Sequence, residues 1–140
     1  LDKLAAVLVH DPTTSARTLW VLANVIRADD DSATAAAIAR HPNGRANPAV
    51  LSRVAVNHPW VRPELVASLH VSERVRRMVA ALLESHEPAP LAQRLLDDPE
   101  AGKSLDVLLV LANRFANNAA TRRLPEGSLR WLERDYVLIR

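Results

Sequence analysis

Leu51, Met78, Leu105 and Leu132 recur at an interval of 27 residues without a gap, and two companion columns keep the same step. Ala55, Leu82, Leu109 and Tyr136 make the second column, and Val56, Leu83, Val110 and Val137 the third. All twelve positions are apolar. Positions i, i+4 and i+5 share one face of an α-helix, because successive side chains turn by about 100° around its axis. One buried helix face is therefore expected four times along the chain. A fixed period of roughly 20–50 residues marks stacked helical units, none of which can bury its apolar face alone. The expected fold is all-α: an α-solenoid of about five pairs, a short helix followed by a longer one, in a single domain over residues 1–140.

Composition favours helices over a sheet. Apolar residues are 49% of the chain and aromatics only 4%, so Ala, Leu and Val must fill the interior. Such residues suit close helix packing, whereas sheet cores lean on aromatic and β-branched side chains. Eighteen Lys and Arg against 16 Asp and Glu leave +2, which supplies little long-range attraction to a polyanion. The absence of cysteine excludes disulfides, thiolate metal sites and a Cys nucleophile. With no long apolar run and no signal-like N-terminus, the expectation is a soluble cytoplasmic chain without membrane contact. The chain opens on Leu1 and closes in the apolar run Val137–Ile139, from which a segment of a longer array is expected.

Proline and capping residues divide the chain. Asp11-Pro12, Asn47-Pro48 and Asp98-Pro99 read as helix starts, since proline at the first helical position loses no hydrogen bond and the preceding side chain accepts from a free amide. Ser72-Glu73 adds a cap and a first-turn acid. The expected pairs are 1–10 with 14–28, 32–40 with 47–57, 63–70 with 72–85, 89–97 with 99–115, and 118–123 with 126–138. The first unit joins with a step of 30 residues, from Pro12 to Pro42 and from Val21 to Leu51. Asp29-Asp30-Asp31 reads as a solvated loop in which Asp31 caps the next helix, because adjacent carboxylates lack the spacing of a calcium loop.

Ala39-Arg40-His41-Pro42-Asn43, Pro48-Ala49-Val50-Leu51-Ser52-Arg53-Val54-Ala55, Asn57-His58-Pro59 and Val75-Arg76-Arg77-Met78-Val79-Ala80 resemble units of the leucine-rich repeat variant family, which is similar to HEAT-like arrays. The resemblance is carried by residues 40–100 and loosely by the rest. It implies short helices alternating with longer ones in a right-handed solenoid, and no catalytic activity. The chain departs from that family in its longer unit, in two His-Pro turns close together, and in lacking any Cys cluster. No cofactor is implied.

Candidate chemistry is sparse. His10, His41, His58 and His86 stand beside turns and form no His-x-x-x-His pair, so they read as turn and helix-end residues rather than metal ligands or bases. Three glycines leave no phosphate-cradling loop and no Gly-x-Ser-x-Gly elbow. Arg76, Lys103 and Arg130 are 27 apart and in a solenoid would stack on successive long helices, with Arg77 and Trp131 one position over. Such a ladder could hold an acidic peptide or phosphates, with Trp131 as an anchor. Glu73, Glu100 and Glu126 precede the three bases by three or four residues, which instead gives a solvated ion-pair face. Trp20 and Trp60 read as core; were Trp60 and Trp131 exposed together, they would be the best anchors. The expected function is a non-catalytic protein-interaction scaffold without cofactor or metal. A nucleic-acid-binding HEAT-like array using the basic ladder is the alternative, and self-association a third reading.

Overall fold

The computed structural model describes residues 2–26 and 32–114. Among them are nine α-helices and no strand: α1 (Asp2–His10), α2 (Ala16–Val25), α3 (Ser32–Arg40), α4 (Pro42–Arg45), α5 (Pro48–Asn57), α6 (Arg62–Ser68), α7 (Glu73–Glu84), α8 (Pro88–Asp97) and α9 (Leu105–Arg114). Two 3-10 turns, Pro59–Val61 and Ala101–Lys103, interrupt them. The all-α expectation holds, and no described helix is long and apolar enough to cross a membrane. The fifth expected pair and Asp29–Asp31 lie outside the described residues.

Caps decide where the helices begin. Asn47 Oδ1 accepts from the amides of Ala49 and Val50, and Ser72 Oγ from that of Val75, as expected. Two other starts are corrected. Asp11 folds back on its own turn, its Oδ1 accepting from the amide and hydroxyl of Thr13, and α2 begins at Ala16 behind Ser15. Asp98 Oδ1 accepts from the amides of Glu100 and Ala101, but it opens only the 3-10 turn. The expected helix 99–115 therefore starts at Leu105, where Ser104 Oγ accepts from Val107 N. Pro42–Arg45, expected as a turn, closes one helical turn capped by His41.

α5 is the centre of the packing, with α2 and α9 against it together with α3 and α6. α7 packs principally against α6 and α8. Val50 and Val54 of α5, Val75 and Val79 of α7, and Val107 and Leu111 of α9 are at most 1% exposed. Each pair lies three and seven residues after its capping residue, one turn apart on the inner face. The capping residues Ser15, Asn47, Ser72 and Ser104 stand 32, 25 and 32 positions apart.

Burial thus does not follow the 27-residue columns throughout. Ala55, Leu82 and Leu109 are buried, but Leu51 is buried, Met78 half-buried and Leu105 45% exposed. In the third column Leu83 and Val110 are buried and Val56 is 42% exposed. Leu51 stands four residues after its cap, Met78 six and Leu105 one, and each residue of offset swings a side chain by about 100°. Leu132, Tyr136 and Val137 lie outside the described residues.

Hydrogen bonds tie turns that are distant in sequence. Asn43 Nδ2 donates to Thr14 O at 2.8 Å, and Asn57 Nδ2 to Ile26 O at 3.4 Å. Glu100 accepts from both the amide and hydroxyl of Ser72, while Arg74 forks onto Asp98 at 2.5 and 3.0 Å. These bonds fix the register of successive turns while the apolar faces supply most of the stabilisation.

Candidate partner-binding surface

Arg76 and Arg77 are brought together on α7; Lys103 is not brought to them. Arg76 Nη2 donates to Leu69 O at 2.9 Å and its Nη1 lies 3.8 Å from Glu73, while Arg77 Nε lies 3.6 Å from the same carboxylate. The expected pairing of Arg76 with Glu73 is present, and it leaves one net positive charge across three groups. They border a solvent-open groove of about 400 Å³ between α6 and α7, floored by Pro63, Val66 and Ala80.

Lys103 stands on the 3-10 turn before α9 and borders a different groove, of about 520 Å³, with His70, Pro99, Leu105 and Asp106. Its expected partner Glu100 is engaged by Ser72 and lies 3.6 Å from Arg74. The serine bonds, followed by the nearby guanidinium, hold Glu100 below the usual carboxylate range. Arg130 and Trp131 lie outside the described residues.

Trp20 is 1% exposed, in the core as expected, whereas Trp60 is 48% exposed and the core expectation for it is corrected. In the turn Pro59–Val61 the chain sends Val61 inward at 0% exposure, and His58 at 1% takes the interior place beside it. The indole is left outside, with its ring edge-on to the His58 imidazole at a centroid distance of 6.1 Å. The turn is closed by Val61 N donating to His58 O at 3.0 Å. Neither ring nitrogen of His58 has a hydrogen-bond partner among the described residues.

His10, His41 and His86 take the helix-end and turn positions read from sequence, and His70 stands between α6 and α7. His41 Nδ1 accepts from Asn43 N at 3.0 Å and its Nε2 lies 2.7 Å from Asp11 O. His70 lies 3.3 Å from Asp106, which also accepts from the His70 amide. No group of three or more His, Cys, Asp or Glu suited to a metal ion is found among the described residues.

Near the C-terminal end of α5 the exposed Val56 lines a narrow cleft together with Ala55, Leu65, Leu83 and Val110, with Arg62 and Arg114 also at its border; Trp60 is not among the cleft's lining residues. The cleft measures about 20 Å³, room for about one water molecule. Its walls are thus a packed platform rather than a pocket for an enclosed ligand. Arg62 lies 3.5 Å from Glu84, whose side chain is 72% exposed. The sequence signal for the exposed indole was the Pro59 turn, in which three successive residues cannot all face inward. Comparison of the chain with protein-family models, with curated proteins and with solved structures yields no match.

Proposed function

We propose that the chain is a non-catalytic interaction scaffold of helical repeats, similar to leucine-rich repeat variant and HEAT-like arrays, which binds a protein partner at the end of α5. The hydrogen bonds between turns of successive units, Asn43 to Thr14 and Ser72 to Glu100, support a stacked arrangement, and the right-handed sense is what the resemblance implies. One observation carries the binding surface: Trp60 is exposed on a backbone fixed by the buried Val61 and by the packing of α5. Tryptophan held rigidly at a surface supplies large contact area at small entropic cost and dominates many interfaces. The nucleic-acid alternative draws less support, because Arg76 and Lys103 border separate grooves and Glu73 offsets one of the two arginines on α7.

Affinity capture from a cell extract with the chain and with its Trp60→Ala variant tests this reading, alongside titration with duplex DNA at low and moderate salt. The expected result is a protein retained by the parent chain and lost from the variant, with no DNA binding. Salt-sensitive DNA binding abolished by Arg76→Glu with Arg77→Glu would replace the scaffold with the nucleic-acid reading.

A further inference from the structure

Apart from the Trp60 surface, we infer a second contact: the groove between α6 and α7 takes a short acidic peptide segment, with an apolar side chain on its floor and a carboxylate at Arg76 and Arg77. Pro63, Val66 and Ala67 stand at i, i+3 and i+4 and so share one face of α6. Glu73, Arg76, Arg77 and Ala80 stand at i, i+3, i+4 and i+7 and share one face of α7. All of them line a single solvent-open groove of about 400 Å³, within the range of about 300–1,000 Å³ in which ligand clefts fall. Its floor of proline, valine and alanine is apolar and short, which leaves the space open to an incoming apolar side chain.

Charge specifies the partner. Arg74, on the same helix, is engaged within the chain, forking onto Asp98 at 2.5 and 3.0 Å. Arg76 and Arg77 instead share one carboxylate, that of Glu73, at 3.8 and 3.6 Å, beyond hydrogen-bond reach. Arg76 gives its Nη2 to Leu69 O, yet its Nε is buried without a hydrogen-bond partner among the described residues. The Arg77 side chain is 79% exposed, and Glu64 of α6 does not line the groove. Two guanidinium groups against one loosely held carboxylate leave positive charge in surplus beside the apolar floor. A guanidinium holds a carboxylate through two parallel bonds. Duplex DNA needs several phosphates neutralised at once, more than this surplus supplies. A segment joining one Asp or Glu to an apolar side chain matches both parts of the groove.

The test is panning of a phage-displayed dodecapeptide library on the full chain, followed by anisotropy titration of the consensus peptide against the parent and its variants. The expected consensus joins Asp or Glu to a neighbouring Val, Leu or Met. Its affinity falls about fivefold in Arg77→Gln and at least about tenfold in Ala67→Glu, which fills the groove and neutralises its surplus charge, with circular dichroism unchanged. It rises about threefold in Glu73→Gln, which releases both arginines, weakens with salt, and is unchanged in Trp60→Ala. A consensus without acids, or one indifferent to Arg77→Gln and Ala67→Glu, would overturn the inference. Binding lost in Trp60→Ala alone would overturn it too, and would leave the scaffold reading standing. Absence of any retained peptide removes the groove as a peptide site, while capture through Trp60 decides the scaffold reading separately. Duplex DNA binding abolished by Arg77→Gln would give the groove to a nucleic acid and equally overturn the inference.

Discussion

The Nε2 atom of His41 lies 2.7 Å from the carbonyl oxygen of Asp11, 30 residues earlier in the chain. Nδ1 of the same ring accepts from the Asn43 amide at 3.0 Å. That second bond requires a lone pair on Nδ1, so the proton sits on Nε2 and is donated to Asp11. One side chain thus caps α4 and joins the α1–α2 turn to the α3–α4 turn. His41→Ala removes the cap and strands a carbonyl beside it, and is expected to cost about 2–4 kcal/mol in urea unfolding. His41→Asn, which still caps, should recover about 1 kcal/mol. A loss below about 1 kcal/mol in the alanine variant would show that the turn tie carries no weight.

Acid should loosen the second pair of joined turns. The Arg74 guanidinium, then the amides of Ala101 and Glu100, hold Asp98 well below its ordinary value of 3.8, and Glu100 is lowered chiefly by Ser72. A carboxyl whose folded pKa is depressed stabilises fully above its unfolded pKa and loses that contribution as pH falls through the folded value. The urea midpoint is therefore expected to drop between about pH 5 and about pH 2, and Asp98→Asn should flatten that limb. Parallel pH profiles for the parent and the variant would contradict the assignment.

Gly44 is fixed by close approach rather than by an unusual turn. A Cβ built there would lie 2.0 Å from the carbonyl oxygen of Ile38 and 3.1 Å from its carbon, and neither backbone atom can swing away. Gly44→Ala should cost about 2–3 kcal/mol by forcing α3 and α4 apart. Thermal unfolding within a degree or two of the parent would mean that the two helices do not meet this closely.

Helix bounds were legible because their causes are local. Asn47-Pro48 and Ser72-Glu73 act within four residues, and α5 and α7 begin where those signals stand. The stacking was less legible, because a step counted in residues does not count turns: the turn Ala101–Lys103 takes up residues that the 27-residue register assigns to a helix. A second repeat in the sequence follows the packing better. Val21-Leu22-Ala23-Asn24 returns as Val110-Leu111-Ala112-Asn113, and both asparagines donate to the carbonyl four residues back. It pairs α2 with α9, the two helices that flank α5. The Pro59 turn signalled that a residue stays outside but not that it is Trp60, since which residues of the turn face inward depends on how α5 and α6 pack against it.

Two members of one sequence column should differ sharply on truncation. Leu51 is 0% exposed in α5, the helix on which α2 and α9 both rest, whereas Leu105 is 45% exposed at the first position of α9. Leu51→Ala removes buried methyl groups and leaves a cavity that fixed neighbours on both sides cannot close, an expected loss of about 3–5 kcal/mol. Leu105→Ala should cost less than about 1 kcal/mol, since much of that side chain already meets water. Met78→Ala, half-buried on α7, should fall between them. Urea denaturation of the three variants checks the order. Equal losses would mean that the 27-residue register describes the packing after all, with Leu105 turned into the layer and α7 stacked between α5 and α9.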